Sequence, residues 1–460
     1  MTDQGLLRPR HVAMISLGGI IGAGLFVGSS TAIGIAGPGV LLAYLLAGMI
    51  SFLMMRMLGE MALARPGAGS FNAYVRLSLG PQVSFVTGWL YWYFWVIVVG
   101  AETVAGASLI HDWLPPDWIP HAPVWLIGLL LIAVMTSSNL MSVRAYGEFE
   151  FWFSLLKVGA IVLFILVGSA WLGHAGVAGH DPLSSLFGGR GALRGPLPNG
   201  GLAVLAAVPS VMFSLTGAEI ASIAATDSRD PAANVARAAR TVALRILLFY
   251  LASILVILCI VPWGAIRSGH SPYVTAMDVM GIPGGATLMA AVVLVAVLSC
   301  LNSGLYVTSR ILNELALQGD APQAMVVRNR RGVPTRAILA GSVTGFLAAI
   351  ASVVSPDLVF AFLLNASGAV ILAIYAVIAT AQLRARSAMA ASGATPAYRM
   401  WGHPWLSGAV IAAIACVLLS MVLQPAQRSQ VVASLFSVIV VIIAARLHGR
   451  RRPIRSGVSP

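Results

Sequence analysis

The chain has 460 residues, 58% of them hydrophobic and 9% charged, against roughly 25% charged residues in soluble domains. Too few charges exist to cover a water-soluble globule, and the alternating ten-residue segments of a spanning β-barrel are absent. The formal net charge of +13 raises the question of nucleic-acid binding, which the positions of the basic residues answer below.

In chain order, twelve apolar segments long enough to cross a bilayer are expected at about 11–35, 38–63, 82–111, 123–142, 149–172, 200–224, 238–262, 283–317, 336–355, 358–382, 404–423 and 429–447. The fold class is therefore an all-α polytopic membrane protein. With the N-terminus inside, 23 arginines fall on the inner side, and four, Arg190, Arg194, Arg267 and Arg428, fall outside. Such a bias places both termini in the cytoplasm. The basic charge is thus a topology signal and a contact for membrane lipid headgroups, and nucleic-acid binding is not expected.

The first segment is crowded with glycine: Gly18, Gly19, Gly22, Gly24 and Gly28 lie in "MISLGGIIGAGLFVGSS". Each costs about 1 kcal/mol relative to alanine inside a helix. The glycines either permit close helix packing or mark an unwound stretch. A dinucleotide-binding loop is discarded, because no βαβ unit surrounds it. The sixth segment, "AAVPSVMFSLTGAEIASIAA", is interrupted by Pro209, Ser210, Ser214, Thr216, Gly217 and Glu219. Interrupted segments at matching positions of two halves point to a transporter's binding site. Spans 1–5 (about 11–172) and 6–10 (about 200–383) then form inverted repeats of a transport core over 11–383. Two further helices occupy 404–447, and a basic tail occupies 448–460.

Unwinding exposes backbone N–H groups at the start of a half-helix, which suits a carboxylate; Gly22, Ala23 and Gly24 are the candidates. Phe213, Ser214 and Thr216 would offer carbonyls to an ammonium group, so a zwitterionic amino acid matches both ends.

Several ionisable or polar residues lie within spans, where such groups are functional candidates. Glu102 shares a face of span 3 with Tyr91 and Trp95; it either touches substrate or is a protonated structural group. Glu219 follows the break in span 6 and either holds the broken segment or takes part in proton movement. Glu60, at the inner end of span 2, pairs with arginine or gates. In span 8, Ser299, Asn302, Ser303 and Tyr306 form one stripe, either as interhelical glue or lining a proton site.

Lys157 is the only lysine, against 27 arginines. It lies about eight residues inside span 5. A charge there costs at least ~3 kcal/mol, and lysine, unlike arginine, can lose its proton. Ser154 and Glu150 lie three and seven residues back on the same face. Seven residues rise ~10.5 Å, so no direct Lys157–Glu150 salt bridge is expected. Lys157 either couples protons or braces unwound carbonyls.

Cys259, Cys300 and Cys416 read as inert buried thiols, and no histidine shows metal spacing. No cofactor or metal is expected, and no catalytic constellation supports an enzyme.

The stretches "GGIIGAGLFVGS", "GPGVLLAYLLAG", "MLGEMA", "GSFNAYV", "GWLYWYFWV", "YGEFEFW", "LKV", "FSLTGAE", "SCLNSGLYVTSR" and "GDAP" occur in this order in bacterial amino acid permeases of the amino acid–polyamine–organocation superfamily. The chain resembles that family nearly end to end. "SVRAYGEFEFW", "YRMWGHPWL" and "QPAQRSQ" look closest to its γ-aminobutyrate (GABA) permeases, whereas the residues before Glu102 in "VGAETVAGA" differ from theirs. The resemblance implies a five-plus-five inverted repeat with discontinuous helices 1 and 6 and two added helices. It implies an amino acid substrate held by Ile20, Gly22, Ala23, Gly24, Glu102, Phe213, Ser214 and Thr216. It also implies proton-coupled import across the cytoplasmic membrane, with Lys157, Glu219, Ser299 and Asn302 in the coupling region. Carriers of aromatic, basic or small neutral amino acids, exchangers and a sensor on the same fold remain alternatives.

Overall fold

In the computed structural model the described residues are 21–65, 70–115, 117, 122–140, 143–177, 181–189, 192–193, 195–217, 246–329, 332–391 and 399–451. They are helical apart from one two-residue antiparallel ladder, Gly188–Gly189 with Ala192–Leu193. In chain order the helices are α1 (Ala23–Phe26), α2 (Gly28–Ala36), α3 (Val40–Ala64), α4 (Phe71–Leu79), α5 (Pro81–His111), α6 (Val124–Asn139), α7 (Val143–Val177) and α8 (Pro182–Phe187). There follow α9 (Gly200–Leu215), α10 (Ala252–Ile260, entered through a π-helical turn at Ile246–Leu251), α11 (Pro272–Val279) and α12 (Gly285–Leu317). The last four are α13 (Thr335–Ala351), α14 (Pro356–Ala391), α15 (Trp405–Leu423) and α16 (Arg428–Arg451).

Among the described residues, seven helical stretches are long and apolar enough to cross a membrane: Gly28–Ala64, Pro81–His111, Glu150–His174, Gly285–Leu317, Pro356–Ala391, Trp405–Leu423 and Arg428–Leu447. Shorter apolar helices occupy Val124–Asn139, Gly200–Leu215, Leu248–Ile260 and Thr335–Ala351. Together these overlap every apolar segment expected from the sequence; segments 1, 4, 6 and 7 extend beyond the described residues. The helices α4, α8 and α11 were not expected. Each begins where the local sequence favours it. Ser70 caps α4 by accepting from the Ala73 N–H at 3.3 Å, and prolines stand first in α8 and α11, where their missing N–H costs nothing.

The burial pattern is that of a chain solvated by lipid. Large apolar side chains such as Leu130, Val134, Trp152, Leu166 and Phe436 are exposed, while Glu60, Glu102, Glu150 and Lys157 are buried. Polar groups in a spanning protein turn inward because hydrocarbon cannot satisfy them. At the centre, α5 packs against α12, α13 and α14, and α9 packs against α2, α3 and α14. Close approach depends on small residues. A Cβ on Gly368 of α14 would fall directly on the Pro209 carbonyl of α9. A Cβ on Gly304 of α12 would come within 3.0 Å of Val99 on α5.

Candidate functional site

Gly22 is extended (φ −136°, ψ −151°), and the helix starts at Ala23. A second irregularity at Val27 (φ −122°, ψ −49°) separates α1 from α2. The Ala23 N–H donates to the Glu102 carboxylate of α5, at 3.0 Å to Oε1 and 3.1 Å to Oε2. A carboxylate therefore sits where the sequence placed a ligand's carboxylate, and it belongs to the protein itself. The N–H groups of Gly24 and Leu25 lie in the first turn, where no intrahelical partner exists. A Cβ on Gly22 would meet Cys300 Cβ at 2.5 Å, Glu102 Oε1 at 2.6 Å and Cys300 Sγ at 2.7 Å. Only glycine fits between these groups. Cys300 was expected to be an inert thiol; instead it hydrogen-bonds Glu102. Cys416, also expected to be buried, is exposed.

Among the described residues, α9 ends inside the sixth segment, at the residues that interrupt its apolar run. α9 ends at Leu215, Thr216 is extended (ψ 147°), and Gly217 takes φ +121°, a conformation open to glycine. The Thr216 hydroxyl donates back to the Met212 carbonyl at 2.6 Å, and the Ser214 hydroxyl to the Val211 carbonyl at 2.7 Å. The Ser214 carbonyl accepts from the Tyr250 hydroxyl at 2.8 Å; its second lone pair leaves room for another donor. The start of α1 and the end of α9 touch. A Cβ on Gly24 would lie 2.7 Å from Ser214 Cα and 2.8 Å from the Phe213 ring. Thus Gly22, Ala23, Gly24, Glu102, Phe213, Ser214 and Thr216 converge, while Ile20 and Glu219 lie outside the described residues.

Lys157 is fully buried and holds a different arrangement from the expected one. Its Nζ donates to Ser299 Oγ on α12 at 2.8 Å, and the Ser299 hydroxyl reaches Glu150 Oε1 at 2.7 Å and Oε2 at 2.8 Å. Lys157 Nζ also lies 3.5 Å from Glu150 Oε1, with both side chains at 0% exposure. The expectation that Glu150 is too distant for a salt bridge is thus corrected. The ~10.5 Å rise between the two residues separates backbones; two long side chains leaning towards each other close the gap. Ser154, between them, hydrogen-bonds Glu150 Oε1 at 3.4 Å. Asn302 departs from the expected stripe. Its Oδ1 accepts from Asn139 Nδ2 of α6 at 2.7 Å, one helical turn from Ser299 and facing another helix. Tyr306 lies under the Arg310 guanidinium, 5.1 Å from ring to Cζ.

Glu60 collects donors from three places: Gln382 Nε2 at 3.0 Å, Arg386 Nη1 at 2.7 Å and the Met400 N–H. It thereby joins α3, α14 and the segment leading to α15. At the opposite end of the fold, a cavity of ≈ 360 Å³ has Val27 in its wall and is lined by His111, Asp112, His270 and Asp357 among others.

The sequence profile of the amino acid permease family matches residues 11–453. A protein named "Probable GABA permease" from Pseudomonas aeruginosa is 46% identical, covering 97% of this chain and 93% of its own. Proteins named "Gamma-aminobutyric acid permease" from Escherichia coli and Bacillus subtilis are 42% and 41% identical, each covering 97% of this chain and 94% of their own.

Proposed function

Because the chain belongs to the amino acid permease family, and so is a multi-pass membrane transporter of amino acids and not an enzyme, we propose that it imports γ-aminobutyrate by proton symport across the bacterial cytoplasmic membrane. The names of relatives that match over nearly the whole chain support the substrate. In this reading twelve helices span the bilayer, with both termini inside. Residues 11–383 form a five-plus-five inverted repeat, 404–447 add two helices, and 448–460 lie against inner-leaflet lipid.

The observation that carries the site is the meeting of the start of α1 with the end of α9, with a carboxylate seated on the Ala23 N–H. The substrate's carboxylate takes the first-turn N–H groups of Gly22 to Gly24, displacing or sharing with Glu102. Its ammonium meets the carbonyls at the end of α9, around Phe213, Ser214 and Thr216. The cavity above Val27 is the approach from outside, and rocking of the helices around the breaks provides alternating access. Lys157 is the coupling group. Unlike the arginines, it can be neutral in one state and charged in another, and it is held at Ser299 within reach of the site's electrostatics.

The test is uptake of labelled γ-aminobutyrate into proteoliposomes with the membrane potential clamped at zero and the outside made acidic. One proton per substrate gives about tenfold accumulation per pH unit, since each unit is worth about 1.4 kcal/mol. Lys157→Ala should abolish accumulation. Accumulation by that variant at the wild-type level rejects the coupling role. Uptake that requires internal substrate and ignores the pH gradient rejects symport in favour of exchange. Competition by unlabelled phenylalanine, lysine and alanine reports the substrate class.

A further inference from the structure

We propose that Glu150 is the acceptor of the coupling proton and that Ser299 passes it there from Lys157. This rests on the symport reading and adds a second titratable partner on the same helix.

Three groups with no solvent exposure form a line. Lys157 Nζ donates to Ser299 Oγ at 2.8 Å, and the Ser299 hydroxyl donates to the Glu150 carboxylate at 2.7 and 2.8 Å. A hydroxyl carries one proton and two lone pairs. With the ammonium donating to it and the carboxylate accepting from it, the hydroxyl is oriented to relay a proton from lysine to glutamate. In the step, one N–H bond of Lys157 breaks and its proton binds Ser299 Oγ. The hydroxyl's original O–H bond breaks and that proton binds a Glu150 oxygen. The nitrogen keeps its lone pair, Ser299 is regenerated, and ammonium plus carboxylate becomes amine plus carboxylic acid. The pair is electrically neutral before and after, so the step leaves no uncompensated charge in a buried site, where one is strongly destabilising.

Position supplies the direction. With span 5 running from inside to outside, Glu150 lies about two turns, or ~10.5 Å, nearer the cytoplasm than Lys157. The relay therefore leads away from the substrate site. Two titratable groups face Lys157 from that site: Glu102 of α5, which interacts with it electrostatically, and Cys300 of α12, which hydrogen-bonds Glu102. Among the described residues, Ser154 is a further polar neighbour of Glu150 on α7. Neighbouring residues of one helix, Ser299 and Cys300, thus serve the two sides. Cys300 touches the carboxylate at the helix break and Ser299 touches the proton pair, so the loss of charge on Lys157 is felt at Glu102.

Glu150→Gln, Ser299→Ala and Ser299→Thr test this in the same proteoliposomes, with γ-aminobutyrate exchange and pH-driven accumulation measured side by side. Glu150→Gln and Ser299→Ala should exchange substrate while their accumulation ratio falls from about tenfold per pH unit to near one. Ser299→Thr keeps the hydroxyl and should accumulate. Accumulation by Glu150→Gln at the wild-type ratio overturns the proposal. So does loss of exchange together with accumulation, which makes Glu150 a structural partner only. A wild-type protein that exchanges but never accumulates refutes the symport reading itself, and that is seen before any variant is read.

Discussion

Gly22→Ala is the perturbation whose consequence the structure defines best. The added Cβ would stand 2.5 Å from Cys300 Cβ and 2.6 Å from Glu102 Oε1, whereas carbon contacts settle near 3.5–4.0 Å. The two neighbours respond differently. The Glu102 carboxylate ends a flexible side chain and can swing away, but only by releasing the Ala23 N–H it holds at 3.0 Å. A buried donor left without its acceptor costs about 1–3 kcal/mol. Cys300 Cβ is fixed to α12, so the helices must shift, an overpacking cost of about 1–3 kcal/mol. Together the substitution should destabilise by about 2–6 kcal/mol. The assay is chemical unfolding of the purified protein in detergent, run as a double-mutant cycle with Cys300→Gly. Cys300→Gly alone costs a few tenths of a kcal/mol in helix propensity and loses the hydrogen bond to Glu102, but it removes the obstruction. The double variant should therefore be less destabilised than the two singles predict, by at least about 1 kcal/mol. Additivity within about 0.5 kcal/mol, or a Gly22→Ala protein as stable as wild type, refutes the packing argument.

Gly368→Ala should be worse, because its Cβ would meet the backbone of Pro209. No monodisperse protein is expected on size exclusion, whereas Gly159→Ala, with nothing within 4 Å, should behave as wild type; a normal Gly368→Ala profile refutes the contact. Glu60→Ala strands Arg386, Gln382 and the Met400 N–H and should cost about 3 kcal/mol. Glu60→Gln, which keeps one acceptor, should lose less, and equal losses would deny Glu60 its bridging role. His403 lies in the segment before α15, where burial and the Arg386 guanidinium hold its imidazole below the ordinary 6.5 while Glu60 opposes them. The folded protein then keeps His403 neutral at a pH where the unfolded chain is already protonated. Its contribution is present above 6.5 and is lost as pH falls through the folded value. Unfolding midpoints of wild type and His403→Gln should diverge between about pH 8 and about pH 5; parallel curves refute the effect.

Much of this protein was readable in its sequence, because hydropathy and helix interruption are local properties. Apolar runs with few charges dictate membrane helices wherever they stand. Gly22, Pro209 and Gly217 weaken a helix whatever surrounds them, and a lone lysine among apolar residues is buried under any packing. These pointed to Gly22, Gly217, Glu102 and Lys157 without coordinates. What tertiary structure decided are the partners. Helical rise alone argued against a Lys157–Glu150 pair, yet both side chains lean onto Ser299, a residue of another helix that the spacing along α7 could not bring into view. A period of 3.6 put Ser299 and Asn302 on one stripe, but the helices around α12 divide that stripe, sending Ser299 to α7 and Asn302 to Asn139 of α6. The Ala23 N–H was foreseen as a carboxylate's seat, and only the approach of α5 made Glu102 its occupant. Pattern fixes which face of a helix is polar, whereas the tilt and rotation of packed helices, together with side-chain reach, fix what that face meets.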